Sequence, residues 1–224
     1  MGTTISLTAS DGFQLSAYRA EPEGPARGGV VVVQEIFGVN EHIRSVADRY
    51  AAAGYLTVAP AIFDRDHPGI ELGYTPEDIE VGKGIAMGSL DFEKVLADVA
   101  AAGDVVREAG KVGVVGYCFG GRITAACAIA LPDVFDAASS YYGGGVVGLV
   151  DKTPVVPMIM HFGEHDDAIP MEDVAKVAAA WTGVTVNVYD AQHGFNCDHR
   201  ASFSAVPAAI AQARTFRFFS ELLG

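Results

Sequence analysis

Val112-Gly113-Val114-Val115-Gly116-Tyr117-Cys118-Phe119-Gly120-Gly121 reads as the end of a strand, a sharp turn and the approach to a helix. The β-branched run Val112 to Val115 comes first, and a helix starting near Arg122 follows. Gly116 and Gly120 bracket Cys118 in the pattern glycine–x–nucleophile–x–glycine, with cysteine where serine is usual. A strand that turns into a helix within one or two residues forces the central residue into a strained backbone conformation, and bulky neighbours would collide with it. In return the side chain stands exposed at the sheet edge, beside a helix N-terminus that favours a thiolate. The alternative is a buried structural cysteine in a glycine-rich turn. Cys127, inside the following helix, reads as an ordinary core residue.

On either side of this turn the periodicities alternate. Gly29 to Val33, Tyr55 to Ala59 and Val155 to Met160 are further continuous apolar runs, as expected of strands buried on both faces of a parallel sheet. Thr185 to Tyr189 reads as another strand. Thr4 to Thr8 and Phe13 to Tyr18 form an initial hairpin around Ser10-Asp11-Gly12, expected antiparallel to the rest. Between the runs lie helical patterns: Glu41 to Ala53 with Asn40 as N-cap and Gly54 as its stop, Leu90 to Val106 with Ser89 placed to cap, Ile123 to Leu131, Val174 to Trp181, and Val206 to Leu223. Such alternation predicts a doubly wound, mostly parallel α/β sheet with helices on both faces and right-handed crossovers. The 224 residues are read as one domain, 1–224. Phe63 to Gly88, with Pro68, Pro76 and several glycines, reads as a long excursion over the C-terminal sheet edge, a lid or substrate wall.

Bulk properties narrow the function. Half the residues are apolar and 19% charged, enough for a sizeable core. The net charge of −13 argues against nucleic acid or an anionic membrane as partner, and an anionic substrate must find a local basic pocket. No apolar stretch approaches the roughly 20 residues of a membrane span. Three cysteines, an odd number in no disulfide framework, and an N-terminus unlike a signal peptide suit the cytoplasm.

A thiol nucleophile needs a base, and His193 follows the strand Thr185 to Tyr189 near the end of the chain. Asp166, in Gly163-Glu164-His165-Asp166-Asp167-Ala168-Ile169-Pro170, is placed to accept the histidine N–H and fix its tautomer. Asp167 is its rival. The chain order Cys118, Asp166, His193 is that of the α/β-hydrolase fold. In that fold the loop after Val33, Gln34-Glu35-Ile36-Phe37-Gly38-Val39-Asn40, supplies one oxyanion-hole amide, assigned to Ile36, and the residue after the nucleophile, Phe119, supplies the other. Glu35 is a carboxylate at the end of a buried strand beside the nucleophile, costly unless paired. The alternative is an ordinary solvated acid or one bridged to an arginine.

Gln34-Glu35-Ile36-Phe37-Gly38, the Cys118 elbow, Tyr141-Tyr142-Gly143 and His193-Gly194-Phe195 together resemble the dienelactone hydrolase (carboxymethylenebutenolidase) family, over nearly the whole chain and in the same order. The resemblance implies cofactor-free hydrolysis of enol-lactones by a Cys118–His193–Asp166 triad. It also implies that Glu35 changes partner on substrate binding and helps draw the proton from the thiol. The best-known members hold the substrate carboxylate with arginines, one of them four residues beyond the catalytic histidine; here that position is Cys197. Arg200 and Lys83 are the candidate replacements, and Tyr141, Tyr142 and Phe37 are candidate pocket walls, although aromatic residues ending a strand are more often core. Arg122 reads equally well as structural.

The run His193, Cys197, Asp198, His199 lacks the paired-cysteine or second-cluster spacing of a structural zinc site, so no metal and no cofactor is expected. The expected partner is a small ester or lactone, acted on by a monomer or weak homodimer. Two other readings stay open: a general carboxylesterase or thioesterase with a divergent pocket, and a noncatalytic ligand-binding or redox-sensing homologue.

Overall fold

The computed structural model describes residues 2–224, apart from the side chain of Ser89. Eight strands form one sheet: β1 (Thr3–Thr8), β2 (Gln14–Ala20), β3 (Gly29–Val33), β4 (Leu56–Pro60), β5 (Val112–Tyr117), β6 (Ala137–Tyr141), β7 (Met158–Gly163) and β8 (Thr185–Tyr189). Their order is β1-β2-β4-β3-β5-β6-β7-β8. All pairings from β4 to β8 are parallel, whereas β2 is antiparallel to both β1 and β4. Only β2 therefore runs against the sheet; the first strand of the hairpin, expected to oppose it too, points with the rest.

The six α-helices are α1 (Glu41–Ala52), α2 (Pro76–Gly84), α3 (Phe92–Val106), α4 (Phe119–Ala130), α5 (Met171–Ala180) and α6 (Ala205–Leu222). Tyr50 of α1 meets Phe216 of α6 edge-on at 5.1 Å, so these two helices share one face of the sheet. Right-handed crossovers put α3 and α4 on the other. The chain leaves β3 toward β4 and leaves β5 toward β6, in opposite directions along the sheet. A crevice opens where the direction reverses, outside the carboxyl ends of β3 and β5, and this is where α/β sheets bind ligands.

Three local expectations change. β7 starts at Met158, not Val155, because the Val155 and Val156 amides both donate to the Ala128 carbonyl and Pro157 has no amide to give the ladder. The stretch read as an irregular excursion contains α2, closed by a reciprocal cap: Thr75 Oγ1 accepts from the Asp78 amide, and Asp78 accepts from the Thr75 amide. A π-helical turn, Ile85–Ser89, continues α2. Finally, α3 takes Asp91 as its N-cap, with the carboxylate accepting from the Glu93 amide at 3.1 Å; the Ser89 side chain, expected to cap it, lies outside the described residues. Asn40 caps α1 as expected, accepting from the Ile43 amide at 3.2 Å.

Candidate active site

Cys118 sits between the last residue of β5 and the first of α4, at φ 55° and ψ −114°, a conformation costly for any residue with a side chain. The surrounding structure holds it there. Its amide donates to the Tyr141 carbonyl at 3.0 Å, and its carbonyl accepts from the Gly121 amide at 2.9 Å. A Cβ on Gly116 would strike the Gly120 carbonyl, and one on Gly120 would strike the carbonyls of Val33 and Gln34. Both glycines are therefore required by contact, and the elbow is pressed against the loop that follows β3.

Two loops build a relay onto the sulfur. His193, after β8, places Nε2 at 3.1 Å from Cys118 Sγ and Nδ1 at 2.7 Å from Asp166 Oδ2. Asp166, after β7, is anchored through its other oxygen, which accepts from the amides of Ala168 at 2.8 Å and Ile169 at 3.1 Å. Asp167 is exposed, while His193 Nδ1 is held by Asp166. The geometry thus selects Asp166 over its neighbour. Burial alone would lower the pKa of His193, but the Cys118 sulfur and the Asp166 carboxylate outweigh it and raise the value to about 10. Among the described residues no acceptor takes the Ile36 or Phe119 amide. Phe119 is the first residue of α4, where helical amides lack internal partners.

Glu35 is fully buried and directed at Arg200, not at Cys118: Arg200 Nη1 donates to Glu35 Oε1 at 3.3 Å. The guanidinium lies 5.8 Å from the Phe37 ring centroid and against Gly194, at φ 75°, where a Cβ would meet it at 2.5 Å. Arg200 thus reaches the site by crossing a bare stretch of the histidine loop. Lys83 is exposed on α2 and paired with Glu80 at 3.1 Å. Its neighbour Gly82 packs on the Ile36 carbonyl so closely that a Cβ there would strike it, so α2 roofs the loop that follows β3.

The two tyrosines separate. Tyr141, expected as a pocket wall, is core: it is fully buried and its hydroxyl bonds Thr215 at 2.7 Å, within a network that includes His161, Tyr189 and Ser139. Tyr142, at φ 37°, places its ring 5.2 Å from that of His193. Arg122 lies 5.3 Å over the Phe92 ring, a packing role. Sequence reasoning missed His42 and Tyr74. His42 is fully buried at the start of α1, with Nδ1 at 2.9 Å from Asp198 Oδ1. Tyr74 packs edge-on to Phe37 at 4.6 Å. The available signal was position, since His42 lies on the stripe His42, Val46, Tyr50 that α1 buries.

Among the described residues no helix is long and apolar enough to cross a membrane. The profile of the dienelactone hydrolase family matches residues 15–223. A carboxymethylenebutenolidase of Pseudomonas putida is 30% identical over 228 residues, covering 97% of this chain and 96% of its own. A Synechocystis sp. protein provisionally named for the same activity is 38% identical over 243 residues, covering 99% and 97%. A solved structure from Klebsiella pneumoniae, provisionally named a dienelactone hydrolase, matches over 99% of both chains with TM-score 0.85 and 29% identity. An esterase of Pyrococcus furiosus shares the fold at TM-score 0.73 and 15% identity, covering 100% of this chain and 94% of its own.

Proposed function

Since this chain belongs to the dienelactone hydrolase family and is an ester or lactone hydrolase of α/β-hydrolase fold, we propose that it opens enol-lactones through a Cys118 thioester. The observation that carries this reading is the unbroken relay from Cys118 Sγ through His193 to Asp166, at 3.1 and 2.7 Å. A histidine whose pKa is raised to about 10 holds a proton firmly, which suits it to keep the one that leaves the Cys118 thiol as the sulfur attacks.

In the proposed path the Cys118 sulfur attacks the lactone carbonyl carbon, and the carbonyl oxygen takes the developing charge between the Ile36 and Phe119 amides. Collapse breaks the ring C–O bond, and His193 gives its proton to the departing enol oxygen. The neutral imidazole then takes a proton from water, the hydroxide adds to the thioester, and the C–S bond breaks, leaving the free acid and returning the proton to Cys118 and His193 to share. Arg200 is the proposed anchor for a substrate carboxylate. A carboxylate bound there competes with Glu35 for the guanidinium and frees Glu35 to turn toward the sulfur.

The test is the ultraviolet loss of a dienelactone with purified protein, with Cys118→Ala as control. Turnover abolished by the substitution supports nucleophile and substrate class together. Wild-type activity in Cys118→Ala overturns the mechanism. The presence of Cys197 where the best-known relatives carry an arginine favours a second reading, a carboxylesterase for neutral substrates. Faster turnover of short-chain neutral esters than of lactone acids would select it.

A further inference from the structure

Beside the relay, Glu35 belongs to a second group of polar side chains, whose other members the proposed hydrolysis does not use. The Glu35 carboxylate, a ring nitrogen of His42 and the Cys197 sulfur come within 4.8 Å of one another, and all three residues are buried. Two of their atoms have no hydrogen-bond partner: Glu35 Oε2 and His42 Nε2. Their other atoms are engaged elsewhere, Oε1 with Arg200 and Nδ1 with Asp198. The free atoms are therefore the ones left for a ligand.

We propose that Glu35 Oε2, His42 Nε2 and Cys197 Sγ form a binding site for one thiophilic divalent cation of the zinc type. Carboxylate, imidazole and thiolate are the three donor classes that zinc takes, and three protein ligands leave a fourth position open. His42 is oriented as a metal-binding histidine is, with the far ring nitrogen donating to a carboxylate so that Nε2 keeps its lone pair. The outer ring nitrogen of His42 lies close to the surface. Asp198 and His199 are exposed, and their donor atoms lie within 4.8 Å of each other and of a His42 nitrogen.

The charges also close. A carboxylate and a thiolate neutralise a dication, while the Arg200 guanidinium and the Asp198 carboxylate offset one another. A neutral thiol gives up its proton when a cation takes the sulfur. The step is Cys–SH plus M²⁺ giving Cys–S–M⁺ plus H⁺, with one proton released per ion. The linear spacing of Cys197, Asp198 and His199 could not disclose this site, because Glu35 and His42 come from another part of the chain.

The test uses the full-length, tag-free chain stripped with chelator, dialysed and offered Zn²⁺ or Co²⁺. The expected results are one Zn²⁺ per chain retained through gel filtration, one proton released per ion near neutral pH, and a thiolate-to-cobalt charge-transfer band in the near ultraviolet. Cys118→Ser keeps all three, whereas Cys197→Ser loses the band and His42→Gln loses retention. If either of these variants fails to fold by circular dichroism, the band in Cys118→Ser decides alone, because Cys127 belongs to neither cluster of metal-binding groups among the described residues. Absence of retained metal overturns the proposal. So does metal bound without a thiolate band, or a band lost in Cys118→Ser and kept in Cys197→Ser, which would assign the ion to the Cys118–His193 pair.

Discussion

Asp166→Asn, compared with Asp167→Asn, tests the relay at its most specific joint. The substitution leaves the fold of its loop intact, because an asparagine oxygen can still accept from the Ala168 and Ile169 amides that hold the aspartate now. What changes is the oxygen 2.7 Å from His193 Nδ1, which becomes an uncharged amide. An amide N–H directed at Nδ1 selects the tautomer in which Nδ1 accepts and Nε2 carries the proton, so Nε2 can no longer act as a base. A charge-assisted hydrogen bond contributes about 1.5–3 kcal/mol. A carboxylate about 4 Å from an imidazolium contributes on the order of 4 kcal/mol at an effective dielectric of 20. Loss of roughly 2–4 kcal/mol lowers turnover by about 30- to 1,000-fold, at about 1.4 kcal/mol per decade.

The assay is kcat/KM on a lactone acid across pH, beside thermal melting. Asp166→Asn should retain its Tm within a few degrees and lose activity as stated. Its alkaline limb should move to lower pH, because the carboxylate that helps hold the His193 proton to about 10 is gone. Asp167→Asn, on the exposed neighbour, should stay within about twofold of the wild type, as surface changes away from a site usually do. Equal losses in the two variants, or near-normal rates with Asp166→Asn, would refute the assignment of the relay.

Further tests follow from single contacts. Gly194→Ala puts a methyl into the Arg200 guanidinium and strains a backbone at φ 75°, so KM for carboxylate-bearing substrates should rise about tenfold or more while neutral esters are less affected; equal effects on both classes would count against Arg200 as the anchor. Gly82→Ala drives a Cβ into the Ile36 carbonyl and should lower kcat by about tenfold or more with little change in KM, measured by steady-state kinetics. His161 is buried between Tyr189 and Thr215 with its pKa lowered by burial to about 3, so the folded state keeps it neutral. Its contribution is fully present above about pH 6.5 and is lost as pH falls toward 3, at up to about 1.4 kcal/mol per pH unit. The Tm gap between wild type and His161→Gln should therefore narrow on acidification, and a pH-independent gap would exclude this origin.

The parts of the fold legible in the sequence are those dictated by local chemistry. β-branched runs gave the buried parallel strands, glycines bracketing Cys118 gave the elbow, and Asn40 gave the start of α1. α2 is equally legible, since Thr75, Pro76 and Asp78 spell a capping box with proline at the first helical position. The glycines and prolines around it point to a loop instead. Residues whose partners are distant in sequence stayed hidden. Tyr141 reads alike as a pocket wall or as core, and only Thr215 on α6, 74 residues away, decides for core. The choice between Asp166 and Asp167 turned on which side chain the loop after β7 sends inward, and adjacent identical residues carry no such signal.

Glu35 is where the site's demands meet. A carboxylate this deeply buried is costly unless compensated, and its two oxygens face different compensations. Arg200 holds one, while the other faces His42 and Cys197 without a hydrogen bond. A substrate carboxylate that draws Arg200 away removes the only ion pair Glu35 has among the described residues, so in the metal-free protein the freed charge is driven to find the Cys118 proton or a new partner. A cation held by Glu35 Oε2 changes that balance. It keeps the carboxylate compensated after Arg200 leaves, which favours substrate binding, and it also tethers the carboxylate, which opposes its turn toward sulfur. Linkage then requires the reciprocal effect, so a bound substrate carboxylate strengthens metal binding by the same factor. The sequence carries Cys197 where the best-known relatives carry a second arginine, and this substitution makes such coupling chemically available: a cationic side chain at that position would repel the ion that a thiol can bind.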